Sequence, residues 1–145
     1  MSGRVPAWII RTLKLAAVYN IVWGVFAILF PTVPFRWAGL AVPNYPCLWQ
    51  CIGMIVGVYG VGYWIAATDP VRHWPIVLVG LLGKIFGPIG FVWCAMNGEL
   101  PWIAGLTILT NDVAWWIPFT LMLHVAWKVE HGTSSRVSAA AVEMV

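Results

Sequence analysis

Residues 78–90 read "LVGLLGKIFGPIG", twelve uncharged residues around a single lysine, Lys84. A water-facing helix of this make-up would have no polar face, and a lone lysine at the centre of a membrane helix costs about 2.5–3.5 kcal/mol. The stretch reads as the middle of a membrane span whose lysine needs a partner. Outward, the apolar run extends over residues 75–96, and a hydrocarbon core takes about 20 helical residues.

Three more such runs cover residues 13–30, 48–67 and 102–127. The segments between them, "PTVPFRWAGLAVPNYP", "TDPVRH" and "NGELP", are rich in the Pro, Gly, Asn and Asp that end helices and form turns. Connections this short make consecutive helices antiparallel neighbours, so the expected fold is all-α, an integral membrane up-down four-helix bundle. At 145 residues, 61% hydrophobic and 9% charged, the chain is one domain outside the soluble range. It divides into an N-terminal segment (1–12), a transmembrane domain (13–127) and a tail (128–145) expected to be mobile on its own. No cleavable signal is expected, because the first apolar run is too long and ends in proline.

The formal net charge is +3, but the basic residues are dispersed near the ends of apolar runs, which argues against nucleic acid as a partner. Arg4, Arg11, Lys14, Arg72, Lys128 and Arg136 fall on one side and Arg36 on the other. The positive-inside rule then sets both termini in the cytoplasm, which for a bacterial chain means the inner membrane. Of the eleven tryptophans, Trp8, Trp37, Trp49, Trp74, Trp93, Trp102 and Trp127 lie near segment ends, as an aromatic belt anchored in lipid would.

Lys84 is nine residues beyond Pro75, and Asp112 ten beyond Trp102. At 1.5 Å per residue each is roughly 14 Å into a core about 30 Å thick. Entering from opposite faces, the two meet near the midplane, and an ion pair between them is the expected contact. Asn20 and Tyr59 reach the same depth, and Asn111 adjoins Asp112, so one polar layer crosses the bundle. Pro88 leaves the carbonyl of Lys84 without its helical partner, and Pro118 does the same to Ala114. Helix breaks at these prolines could line an ion or water site, or be plain kinks beside a structural ion pair.

Gly80, Gly83, Gly87 and Gly90 repeat at spacings of 3, 4 and 3, and Gly53, Gly57 and Gly60 at 4 and 3. Each set lines one helix face, and small faces let backbones approach in lipid. The expected seam joins the second and third spans. Cys47, Cys51 and Cys94 map to the outer leaflet, where core packing, a disulfide to Cys94, or Cu(I) held with Met54 are the alternatives; packing leads, since free cysteine behaves as a small hydrophobe. No resident metal, cofactor or catalytic residue is assigned. His73, His124 and His131 lie near the interface, too shallow for a transmembrane haem. Thr107 and Thr110 have no evident base but Asp112.

The opening "YNIVWGVFAILFP" and the glycine-rich "IGMIVGVYGVGYWIAATDPVRHWP", followed by two further helices, resemble the small bacterial four-helix membrane proteins called DoxX-like. The likeness runs over residues 15–127, while "WQC", "KIFGPIG" and "NDVAWWIPF" look particular to a narrower subgroup. It implies a four-helix membrane fold and, for some members, a link to thiosulfate:quinone oxidoreductase or thiol redox assemblies. The leading expectation is a non-catalytic accessory subunit, or a bundle binding a small quinone-like ligand in its polar layer. It would act in a larger membrane complex or a homo-oligomer. The alternatives are a thiol- or quinone-linked redox component using Cys47, Cys51 and Cys94, and an oligomeric transporter or proton path through Asn20, Tyr59, Lys84 and Asp112.

Overall fold

The computed structural model describes residues 5–143, with side chains from residue 5 to residue 129. Arg4 and the side chains of His131 and Arg136 lie outside the described residues. The helices are α1 (Ala7–Leu29), α2 (Val33–Trp37), α3 (Pro46–Ala66), α4 (Trp74–Met96), α5 (Leu106–Ile108) and α6 (Ala114–Glu143). A 3₁₀ turn at Trp102–Gly105 precedes α5, and a π-helical turn at Leu109–Val113 joins α5 to α6. Four helices are long and apolar enough to cross a membrane: α1, α3, α4 and the composite fourth span Trp102–Val129. The chain is an all-α four-helix bundle with the make-up of a multi-pass membrane protein.

Prolines open α2, α3 and α4 within their first two positions, where a missing N–H costs nothing and the fixed φ suits a helix. Gly98 ends α4 at φ 75°. Its N–H bonds to the carbonyl of Ala95, and that of Glu99 to Cys94, which closes the last turn on itself. The Asp69 carboxylate accepts the amide of Arg72 at 3.1 Å and tightens the α3–α4 turn. Gln50 of α3 donates to the carbonyl of Ile28 at 2.8 Å, near the end of α1.

Two boundaries differ from the sequence reading. The first helix starts at Ala7, not residue 13, because Ile9 is buried in the core while Arg11 and Lys14 stay on the outer surface. Lys14 lies 6.0 Å from the Trp64 ring centre, its stem along apolar surface. The last helix continues to Glu143, past the expected end of the fourth span at residue 127. Residues 128–143 hold no proline, and extending an existing helix costs far less than starting one.

The glycine seam forms elsewhere than expected. Gly53 and Gly60 of α3 pack on α1, not on α4. A Cβ on Gly60 would stand 2.8 Å from the carbonyl oxygen of Ala17, and one on Gly24 of α1 only 2.6 Å from that of Gly53. The physical reason is that α1 offers its own small residues, Ala17, Gly24 and Ala27, all buried against this face. Two of the α4 glycines meet side chains instead: Tyr63 lies against Gly80, and the Asp112 carboxylate faces Gly87.

The shared core lies toward the end of the bundle that holds both termini. There Ile9, Leu13 and Ala17 of α1, Tyr63 and Ala66 of α3, Val77 and Leu81 of α4, and Trp115, Phe119 and Met122 of the fourth span form one buried cluster. Tyr63 meets Phe119 edge-on, ring centres 5.1 Å apart, a geometry worth about 0.5–1.5 kcal/mol beyond burial. At the other end the aromatic contacts join helices in pairs. Trp49 of α3 packs on Trp23 of α1 and Phe35 of α2, and Phe91 of α4 on Trp102.

Gly60→Val should therefore lower stability in detergent by about 1–3 kcal/mol, because the added atoms have no room. Gly90→Ala, which meets open space, should leave it unchanged or slightly raised; thermal unfolding of the two variants checks the contrast.

Candidate functional site

The π-helical turn holds the sequence "LTNDV". Widening a helix by one residue shifts its hydrogen bonds and releases carbonyls from the usual ladder. Two of those carbonyls are taken by side chains: the Trp115 indole donates to Thr110 at 3.0 Å, and Lys84 of α4 donates to Asn111 at 2.6 Å. Lys84 is 6% exposed, and its ammonium also stands 5.8 Å from the Trp115 ring centre.

α4 supplies the reciprocal bond. Pro88 has no N–H to give the carbonyl of Lys84, and the Trp116 indole donates to that oxygen at 3.0 Å. The carbonyl freed by Pro88 is thus capped by tryptophan and does not open onto an ion site. Nor do the prolines break their helices: Pro88 lies within α4 and Pro118 within α6. The irregularity falls at residues 109–113, one turn before Pro118.

The expected Lys84–Asp112 ion pair is not closed: the ammonium donates to the backbone one residue earlier and keeps further donors free, while the Asp112 carboxylate stays near enough to interact with it electrostatically. The Asp112 carboxylate turns toward α4, 3.8 Å from where a Cβ of Gly87 would be. Lysine and aspartate still share one space, a cavity of about 220 Å³. Its walls come from all four spans: Asn20 of α1, Tyr59 and Tyr63 of α3, Lys84 with Gly80, Gly83 and Gly87 of α4, and Asn111 and Asp112 of the fourth span. Every residue assigned to the polar layer from sequence lines it.

Some of this polarity is unspent. Asn20 is 2% exposed and its amide oxygen has no hydrogen-bond partner; the side-chain oxygen of Asn111 is likewise unpartnered. Buried amides left this way cost about 1–3 kcal/mol each, so their presence asks for a purpose. Tyr19 closes the outer side of the layer with a 3.4 Å contact from its hydroxyl to that of Thr110.

Three residues around the site escaped the sequence reading: Tyr63, which lines the cavity, and Trp115 and Trp116, whose indoles bond to the carbonyls of Thr110 and Lys84. Tyr63 follows Tyr59 by one helical turn, and the paired tryptophans lie in mid-span, away from the interfaces where a belt belongs. Both signals are present in the sequence.

The cysteines do not pack in the core. Cys47 and Cys51 are exposed, Cys94 is half-buried, and all three are free thiols. They sit at the end where the helices pair two by two, outside the shared core, so one face of α3 is left uncovered there. Among the described residues no three His, Cys, Asp or Glu side chains group as metal ligands.

No family model matches this chain, and no curated protein or solved structure is significantly similar to it.

The two cross-helix bonds make a double-mutant prediction. Trp116→Phe should cost about 0.5–2 kcal/mol in the native background, where it orphans the carbonyl of Lys84. In a Pro88→Ala background residue 88 again supplies an N–H, and the same change should cost little. Unfolding of the four proteins in one detergent measures the coupling.

Proposed function

We propose that this chain is a multi-pass protein of the bacterial inner membrane, both termini cytoplasmic, that binds a small ring-sized ligand such as a quinone head group at mid-membrane. It acts as a non-catalytic accessory component of a larger membrane assembly or of a homo-oligomer. The convergence of Asn20, Tyr59, Lys84, Asn111 and Asp112 on one 220 Å³ cavity carries the reading. Intramembrane charges are expensive and are kept where they serve a site. A structural role would favour a closed Lys84–Asp112 pair with every amide satisfied, whereas Asn20 and Asn111 retain unused hydrogen-bonding capacity. Lys84, Tyr59 and Tyr63 offer donors to ring carbonyls, and Asp112 an acceptor to a ring hydroxyl.

Asp112→Asn is the informative variant because it keeps the shape and leaves the Lys84–Asn111 bond alone. It should accumulate and unfold as the native protein does, while binding of a short-chain benzoquinone, measured by competition in nanodiscs, weakens at least about tenfold, the loss of roughly 1.4 kcal/mol. Loss of the folded protein itself, or unchanged binding, would leave Asp112 without a binding role.

A second reading, thiol-linked redox work on the outer side, is favoured by the exposure of Cys47 and Cys51, one helical turn apart. Under it, labelling by a membrane-impermeant maleimide should rise after reduction of protein taken from its native membrane. Equal labelling before and after reduction argues against it.

A further inference from the structure

We infer that the ligand is a lipid with a single linear apolar chain, its polar head in the cavity around Lys84 and Asp112 and its chain in a groove between α3 and α4. The inference rests on the ligand-binding reading above and adds the class of molecule.

The groove has a volume of about 680 Å³ and is walled by Met54, Ile55 and Val58 of α3 and by Pro75, Ile76 and Val79 of α4. Its side chains lie on the outer surface, Val58 at 69% exposure, where a bilayer would cover them. Tyr59 lines both the groove and the inner cavity. Its hydroxyl lies 4.0 Å from where a Cβ of Gly83 would be, on the cavity side.

Neighbouring residues repeat the relation. Gly62 borders the groove and Tyr63 the cavity, and Val79 borders the groove and Gly80 the cavity. The two spaces are therefore front and back of one α3–α4 seam. Gly53 and Gly60 of α3 are spent on α1, and at Gly80 the Tyr63 ring fills the space, so α3 and α4 meet here through side chains and not backbone to backbone. Toward the termini the seam narrows: a Cβ on Gly62 would stand 3.1 Å from the Ile76 side chain.

The two spaces differ as the two ends of a lipid differ. The cavity carries a lysine, an aspartate and two asparagines; the groove walls are apolar apart from the Tyr59 hydroxyl. A molecule too long for the cavity is blocked on the terminal side by the buried cluster of Tyr63, Trp115 and Phe119. On the other side of Tyr59 lies an apolar groove about three times larger than the cavity, walled by side chains on the outer surface of the bundle.

The test compares a benzoquinone bearing a ten-carbon chain with the same ring lacking it. Both are measured on the full chain in nanodiscs, with affinity expressed per mole fraction in the bilayer so that partitioning cancels. The chain-bearing probe should bind at least about tenfold tighter. Val79→Trp, which fills the groove without touching the cavity, should remove that advantage and leave the ring-only affinity as it was. In the unmutated protein, a chain ending in a diazirine should crosslink within residues 54–58 or 75–79. Equal affinities, an advantage that survives Val79→Trp, or crosslinks elsewhere would overturn the chain subsite while leaving ring binding in place. Binding of neither probe would overturn the ligand reading and this inference with it.

Discussion

Two hydrogen bonds between α4 and the fourth span bear on everything else in this bundle. Lys84 gives its ammonium to the carbonyl of Asn111, and Trp116 gives its indole N–H to the carbonyl of Lys84. In hydrocarbon there is no water to satisfy a backbone group that its own helix has released. Pro88 releases one carbonyl and the π-helical turn releases others, and each helix supplies the donor that the other lacks. The lysine is therefore held by backbone geometry as much as by charge.

That arrangement keeps Asp112 and Lys84 out of direct contact, on the walls of one cavity. Were the ammonium to bridge directly to the carboxylate, the two side chains would fill the space between α4 and the fourth span. Because the ammonium reaches one residue further back, the carboxylate turns to the glycine face of α4. Glycines that in many membrane bundles bring two backbones together serve here to keep a wall bare. The backbone-to-backbone contact is made instead by α1 and α3, whose alanines and glycines interlock.

Packing is uneven along the bundle for the same reason. Toward the termini, Tyr63, Phe119, Trp115 and their neighbours unite all four spans. At mid-depth the polar cavity interrupts the apolar contacts, and beyond it the spans associate as α1 with α3 and α4 with the fourth. At this level the polar cavity and an apolar surface groove share Tyr59 as a common wall. The residues that carry the site's polarity are drawn from every span, so it exists only when the bundle is assembled.

The sequence by itself determined the number of spans, their approximate limits, the turns between them and the depth of each polar residue. Apolar length, proline and glycine punctuation and helical rise are local properties, legible without knowing what packs on what. Asn20, Tyr59, Lys84, Asn111 and Asp112 could be assigned to one layer because depth follows from counting. Direction around the helix axis does not follow so easily, and there only the tertiary structure decided. Asn111 and Asp112 both lie in a five-residue π-helical turn, where the lysine bonds to the carbonyl of the first and not to the carboxylate of the second. Glycine stripes on α3 and α4 looked equally fit to pack together, and the small residues of α1 decided which of them did. Cys47 and Cys51, which composition assigned to the interior, ended up exposed, because burial in a membrane bundle depends on which faces meet, and lipid is as apolar an environment as the core.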